Sequence, residues 1–161
     1  METRRSFLKK SGLIVAAGSL PLAVLSQQGQ NIVITLNVHT DSIDKKDVNA
    51  SCNFGQEEDI PNEEYTVAAN VGDTITWQGV SVNAPETDIV SIVSINHEGG
   101  KNVFGQNLLQ GDRSNPRRVT GRVQFSTPEG QTYKYKISFT VSNNGSQRNG
   151  TFHIDPKIEV H

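Results

Sequence analysis

The sequence predicts an all-β domain, an antiparallel β-sandwich of seven or eight short strands. Three observations carry that expectation. Apolar residues alternate with polar ones at period two in several separate stretches. Gly-, Asn- and Asp-rich turn signals fall between those stretches. Beyond the first 26 residues, no segment of ten or more has helical periodicity.

In chain order, NIVITLNVH (31–39) sets Ile32, Ile34, Leu36 and Val38 on one face of a strand. EYTVAANVGDTITWQ (64–78) gives one strand through Tyr65, Val67, Ala69 and Val71, a turn at Gly72-Asp73, and a second strand with Ile75 and Trp77. DIVSIVSIN (88–96) is more continuously apolar, as a central strand is. GRVQFS (121–126) is short. TYKYKISFTV (132–141) alternates most clearly, with Tyr133, Tyr135, Ile137, Phe139 and Val141 opposite Lys134, Lys136, Ser138 and Thr140. SNNGSQRNG (142–150) turns the chain into TFHI (151–154), and KIEV (157–160) follows Pro156, whose missing amide suits a strand start. Trp77, Tyr133, Tyr135 and Phe139 are assigned to the core or its rim. Two irregular stretches, 43–62 and 99–115, are long for loops of a compact sandwich, which makes them places to look for function.

Residues 1–26 have the three-part layout of an export signal and are expected to form a signal helix. Arg4, Arg5, Lys9 and Lys10 make a positive start, Gly12 to Leu25 is uncharged and apolar, and a polar segment begins at Gln27. The apolar run is shorter than the ~20 residues that span a bilayer, and Gly12, Gly18 and Pro21 interrupt it, so no stable membrane span is expected. Thr3-Arg4-Arg5-Ser6-Phe7-Leu8-Lys9 resembles the bacterial twin-arginine signal family, Ser/Thr-Arg-Arg-x-Phe-Leu-Lys, at every position. That resemblance implies delivery, already folded, by the twin-arginine export machinery to the periplasm or the extracellular space. Cleavage there leaves one domain, 27–161.

The signal carries a net +3, so a chain of −2 becomes a domain of −5. A mildly acidic domain lacks the positive footprint that phosphate backbones require, and no nucleic-acid partner is expected. The single cysteine, Cys52, excludes an internal disulfide, as suits a protein folded before export.

VGDTITW with QGVSVNAPETD, and EGQTYKYKISFTV running on to GTFHIDPKIEV, resemble the cupredoxin family of exported β-sandwiches over about residues 64–161. The resemblance implies an antiparallel Greek-key sandwich fold and, in most members, a copper ion. It also locates the ligands: Glu86 stands where the family's first histidine would be, Ile137 where its cysteine would be, and Thr140 near the second histidine. No methionine follows Met1. Type 1 copper needs a thiolate and two imidazoles, so no copper and no other cofactor is expected. The remaining residues that can hold a metal are Cys52, Glu86, His97 and His153, at spacings that match no metal motif.

Charge clusters supply the other candidates. QEEDIPNEE lacks the orderly spacing of a calcium loop and reads as a solvated acidic loop, and Lys45 and Lys46 offset Asp41, Asp44 and Asp47. RSNPRRVTGR gathers Arg113, Arg117, Arg118 and Arg122, whose guanidinium forks suit carboxylate, sulfate or phosphate. The alternative is that these arginines neutralise neighbouring acids. No Gly-x-Ser-x-Gly elbow is present, and Cys52 beside Phe54 reads as a small core filler rather than a nucleophile. The expected function is therefore an exported, non-catalytic module binding an extracytoplasmic protein or anionic ligand. Alternatives are a metal-binding or redox protein with an atypical site, and a hydrolase whose site only folding would assemble.

Overall fold

A computed structural model describes residues 28–161; the expected signal lies outside the described residues. The chain forms two β-sheets over one shared core, in a sandwich-like arrangement. Its strands are β1 (Asn31–Val38), β2 (Cys52–Asn53), β3 (Thr66–Ala69), β4 (Thr74–Ser81), β5 (Ile89–Gly99), β6 (Leu108–Gln110), β7 (Val119–Arg122), β8 (Tyr133–Asn143), β9 (Ser146–Gln147), β10 (Phe152–Ile154) and β11 (Lys157–Val160). Among the described residues the only helical turn is a 3-10 turn at Asn49–Ser51, and no helix is long and apolar enough to cross a membrane.

The smaller sheet has the order β2-β1-β4-β7 and the larger β3-β11-β8-β5-β6, with β9 and β10 also paired to β8. Both sheets are mixed. β1 runs parallel to β4, from Asn31 opposite Thr74 to Val38 opposite Ser81, and β11 runs parallel to β3. The purely antiparallel expectation is corrected at these two pairs. Period-two alternation fixes which face a side chain takes but carries no information on a neighbour's direction.

Most alternating stretches bury the faces expected of them; the exception is 65–71, where the strand ends at Ala69, Tyr65 and Val67 are only half-buried, and Val71, past the end of the strand, is exposed. Ile34, Leu36 and Val38 of β1, Ile75 and Trp77 of β4, and Tyr133, Tyr135, Ile137, Phe139 and Val141 of β8 all enter the core. The 88–96 stretch becomes β5, which lies between β8 and β6. The 121–126 strand is displaced to Val119–Arg122. Past Arg122 the chain leaves the sheet, and the Gln124 and Phe125 amides bond to the Val103 carbonyl instead. β2 and β6 form within the two stretches expected to be irregular.

The sheets are tied together across the core. Trp77 of β4 donates its indole N–H to the Tyr135 hydroxyl of β8 at 3.1 Å, so both buried polar groups gain a partner. Gly79 of β4 faces inward, and a Cβ there would sit 2.3 Å from Val90 Cγ1 of β5. Only glycine permits that close approach between the sheets.

This packing defines two lateral sides. β7 packs against β5 and β6, which sets the β7 edge of the smaller sheet beside the β6 edge of the larger. By the strand orders, the β2 and β3 edges share the opposite side. Each side is spanned by a loop that crosses between sheets: 54–65 joins β2 to β3, and 111–118 joins β6 to β7.

Candidate functional site

The loop 111–118 owes its shape to Asp112. Its carboxylate accepts the Ser114 amide at 3.0 Å, the Ser114 hydroxyl, and the Arg118 amide at 3.1 Å. Led by the Ser114 hydroxyl, these donors hold the carboxyl below its ordinary range. The loop is also fastened to β5: the Ile92 amide donates to the Arg117 carbonyl at 3.0 Å and the Gly111 amide to the Val93 carbonyl at 2.7 Å. The Arg117 amide donates to Ser91 Oγ at 3.2 Å. The Asn115-Pro116 bond is cis.

This scaffold divides the four arginines. Arg113 and Arg117 border an open depression of about 550 Å³ over the larger sheet, floored by Ser91, Thr140, Gln147 and Thr151 among others. Arg118 and Arg122 line no part of it. Arg122 lies in β7 with the outward parity of Thr120, because Val119 and Gly121 take the buried positions. All four arginines are exposed, and among the described residues none has a carboxylate within ion-pairing distance, since both ion pairs there are made by lysines. Among the described residues no acid lines the depression. Two guanidinium forks, unpaired among the described residues, stand beside hydroxyl and amide groups, a donor set whose chemistry suits anionic oxygens.

The candidate metal ligands are dispersed. Cys52 is buried in β2, and burial pushes its thiol up to about 12, which suits a core filler rather than a nucleophile. Glu86 is exposed on the β4–β5 connection. His97 is half-buried in β5, stacks on Tyr133 with ring centroids 5.2 Å apart, and places Nε2 3.1 Å from both the Gly99 and Gly100 carbonyls. Since carbonyls only accept, that nitrogen carries the proton and donates. His153 is exposed on β10, with Nδ1 3.1 Å from Ser138 Oγ. In register, His97 pairs with Tyr135 on one side of β8 and His153 with Ser138 on the other. Among the described residues, no three His, Cys, Asp or Glu side chains converge on a point.

The positions aligned with copper ligands do not fit that ion. Glu86 is in solvent, Ile137 is fully buried hydrocarbon, and Thr140 opens outward into the depression. Glu86 precedes the Ile89–Ser142 pair, and Ile137 lies five residues further along β8, about 16 Å at ~3.3 Å per residue.

The opposite side holds the acidic loop, whose charges the sequence marks only as solvated. Phe54 and Tyr65 close its base, stacked with centroids 4.6 Å apart. Gln56 accepts the Phe54 amide at 2.6 Å and donates to Asn62 Oδ1 at 2.8 Å. Buried Asn62 donates onward to the Cys52 carbonyl at 2.9 Å. Hung on this plug, Glu57, Glu58, Asp59, Glu63 and Glu64 are all exposed. Lys157 pairs with Glu64 at 2.7 Å; the other four have no ion-pair partner among the described residues. Gln56 and Asn62 bracket three of the acids in the sequence, but nothing in the sequence marks them as an anchor; their bonding does.

Neither a protein-family model nor a curated protein matches the sequence. Among solved structures the fold is similar to that of an inclusion body protein, PixA from Burkholderia cenocepacia J2315, with a TM-score of 0.60 at 15% sequence identity, over 85% of this chain and 99% of that one.

Proposed function

We propose that this chain is an exported, non-catalytic β-sandwich module that recognises an anionic partner through Arg113 and Arg117. One observation carries the reading: two exposed guanidiniums, without carboxylate partners among the described residues, frame a depression that these residues line with hydroxyls and amides and no acid. Arginine forks grip carboxylate, sulfate or phosphate with two parallel hydrogen bonds, and a fixed loop lowers the ordering entropy that binding must offset. The layout of residues 1–26 supports delivery by the twin-arginine export machinery to the periplasm or extracellular space. Within this reading the domain is a cupredoxin-like Greek-key sandwich that does without type 1 copper and without a resident cofactor, and it engages neither nucleic acid nor a bilayer core. The donor set at Glu86, Ile137 and Thr140 supports that part.

The test is calorimetric titration of the full chain with a hexaglutamate peptide. R113A/R117A should weaken binding about tenfold, equivalent to ~1.4 kcal/mol. Undiminished binding in the double variant overturns the site. Stoichiometric copper or zinc in protein purified from the exporting cell overturns the cofactor-free reading.

A further inference from the structure

We propose that the anionic partner is a second copy of this chain, whose acidic loop 54–65 docks on the Arg113/Arg117 depression. The inference rests on the reading of that depression as an anion receptor and commits it to one occupant.

Charge complementarity between the two sides carries it. The loop 54–65 contains five acids and no base, and 111–118 contains three arginines and one acid. That one acid, Asp112, is occupied with the Ser114 and Arg118 amides. Four of the acids and both depression arginines lack ion-pair partners among the described residues. The two loops occupy opposite lateral sides of the same domain, so within one copy they cannot pair with each other. Each side also carries an exposed apolar residue: Ile60, 39% exposed, lies among the acids, and Leu108, 42% exposed, lies on edge strand β6, which leads into 111–118. An apolar contact ringed by charge pairs is the anatomy of a protein interface.

The geometry sets the kind of assembly. The two docking surfaces are different patches on opposite sides, so the contact is heterologous rather than self-complementary. A heterologous contact leaves a free acidic loop at one end and a free depression at the other, and it propagates head to tail unless rotation closes a ring. Exposed charge pairs are individually weak, so association is concentration-dependent and falls as salt screens it.

The experiment is sedimentation velocity of the full chain across a concentration series, at about 50 mM and about 500 mM salt, Debye lengths of roughly 14 and 4 Å. The sedimentation coefficient should rise with concentration at low salt and stay at the monomer value at high salt. R113E/R117E gives a chain acidic on both sides, and E57K/E58K/D59K a chain basic at both; each alone should remain monomeric. Their equimolar mixture should associate again. R118E/R122E changes the net charge as much as R113E/R117E and should assemble like the parent. Circular dichroism confirms that each variant is folded, and the neutral pair R113Q/R117Q, which perturbs the fold less, should also remain monomeric. A parent chain that stays monomeric at low salt overturns the proposal, as does a mixture that fails to associate. The hexaglutamate titration separates the two failures. If the peptide binds through Arg113 and Arg117 while the parent stays monomeric, only the second copy is lost as partner; if it does not bind, the receptor is lost as well.

Discussion

The loops 54–65 and 111–118 do the same structural task at opposite sides of the domain: each carries the chain from one sheet to the other. They are anchored differently. The acidic loop hangs on Asn62, a buried amide that bonds to the Cys52 carbonyl, with Gln56 bonded to it in turn. The basic loop hangs on Asp112, an exposed carboxylate fed by backbone amides and a hydroxyl. A loop of one sign is thus held by a neutral plug, and a loop of the other sign by an opposite charge. In both, the charges that the anchor does not use are exposed to solvent.

The largest effect should come from breaking the neutral plug. Asn62→Ala leaves the buried Cys52 carbonyl without its donor and frees Gln56, at an expected ~1–3 kcal/mol of stability. Urea unfolding should show a lower midpoint with an unchanged slope. Affinity for hexaglutamate should be retained, because the basic loop is on the other side. A loss of affinity as large as the loss of stability would mean that the two loops are not independent.

Acid titration sharpens the contrast with a smaller effect. The folded Asp112 carboxyl is depressed below its usual 3.8. Its contribution is therefore complete above pH 3.8 and disappears only as pH falls through the lower folded value. Asp155 behaves oppositely. Although exposed, it suffers desolvation at its carboxylate and faces Glu98 and Glu63, which together raise it, with Lys136 opposing. A raised group stabilises fully below its unfolded value and loses that stability as pH rises through the folded one. Asp155→Asn should therefore raise the unfolding midpoint modestly at pH 7 and leave it unchanged at pH 3, while Asp112→Asn should lower it at pH 7. Equal responses of the two variants would remove the distinction.

Much of the fold could be read from residue alternation, because a half-buried strand writes its inner face into every second position. β8 shows this best, from Tyr133 to Val141. Strand direction was not legible, and the parallel pairing of β1 with β4 depends on where β2 and β3 carry the chain between them. β2 and β6 were missed because two or three residues are too few to show a period. The candidate site was half legible. Composition alone gathers Arg113, Arg117, Arg118 and Arg122, yet it cannot divide them. That division follows from where β7 begins: Arg117 bonds back to β5, and Arg118 leads into a strand whose outward positions lie on the smaller sheet. The acidic loop was legible as charge, and its place opposite the arginines emerged only from the strand orders.

The central claim is that position, not net charge, makes Arg113 and Arg117 the receptor. Hexaglutamate affinity compared between R113E/R117E and R118E/R122E tests it directly, since both variants change the net charge equally. The account predicts that R113E/R117E abolishes measurable binding while R118E/R122E stays within about threefold of the parent, a difference of ~0.65 kcal/mol or less. Equal losses in the two variants would contradict it.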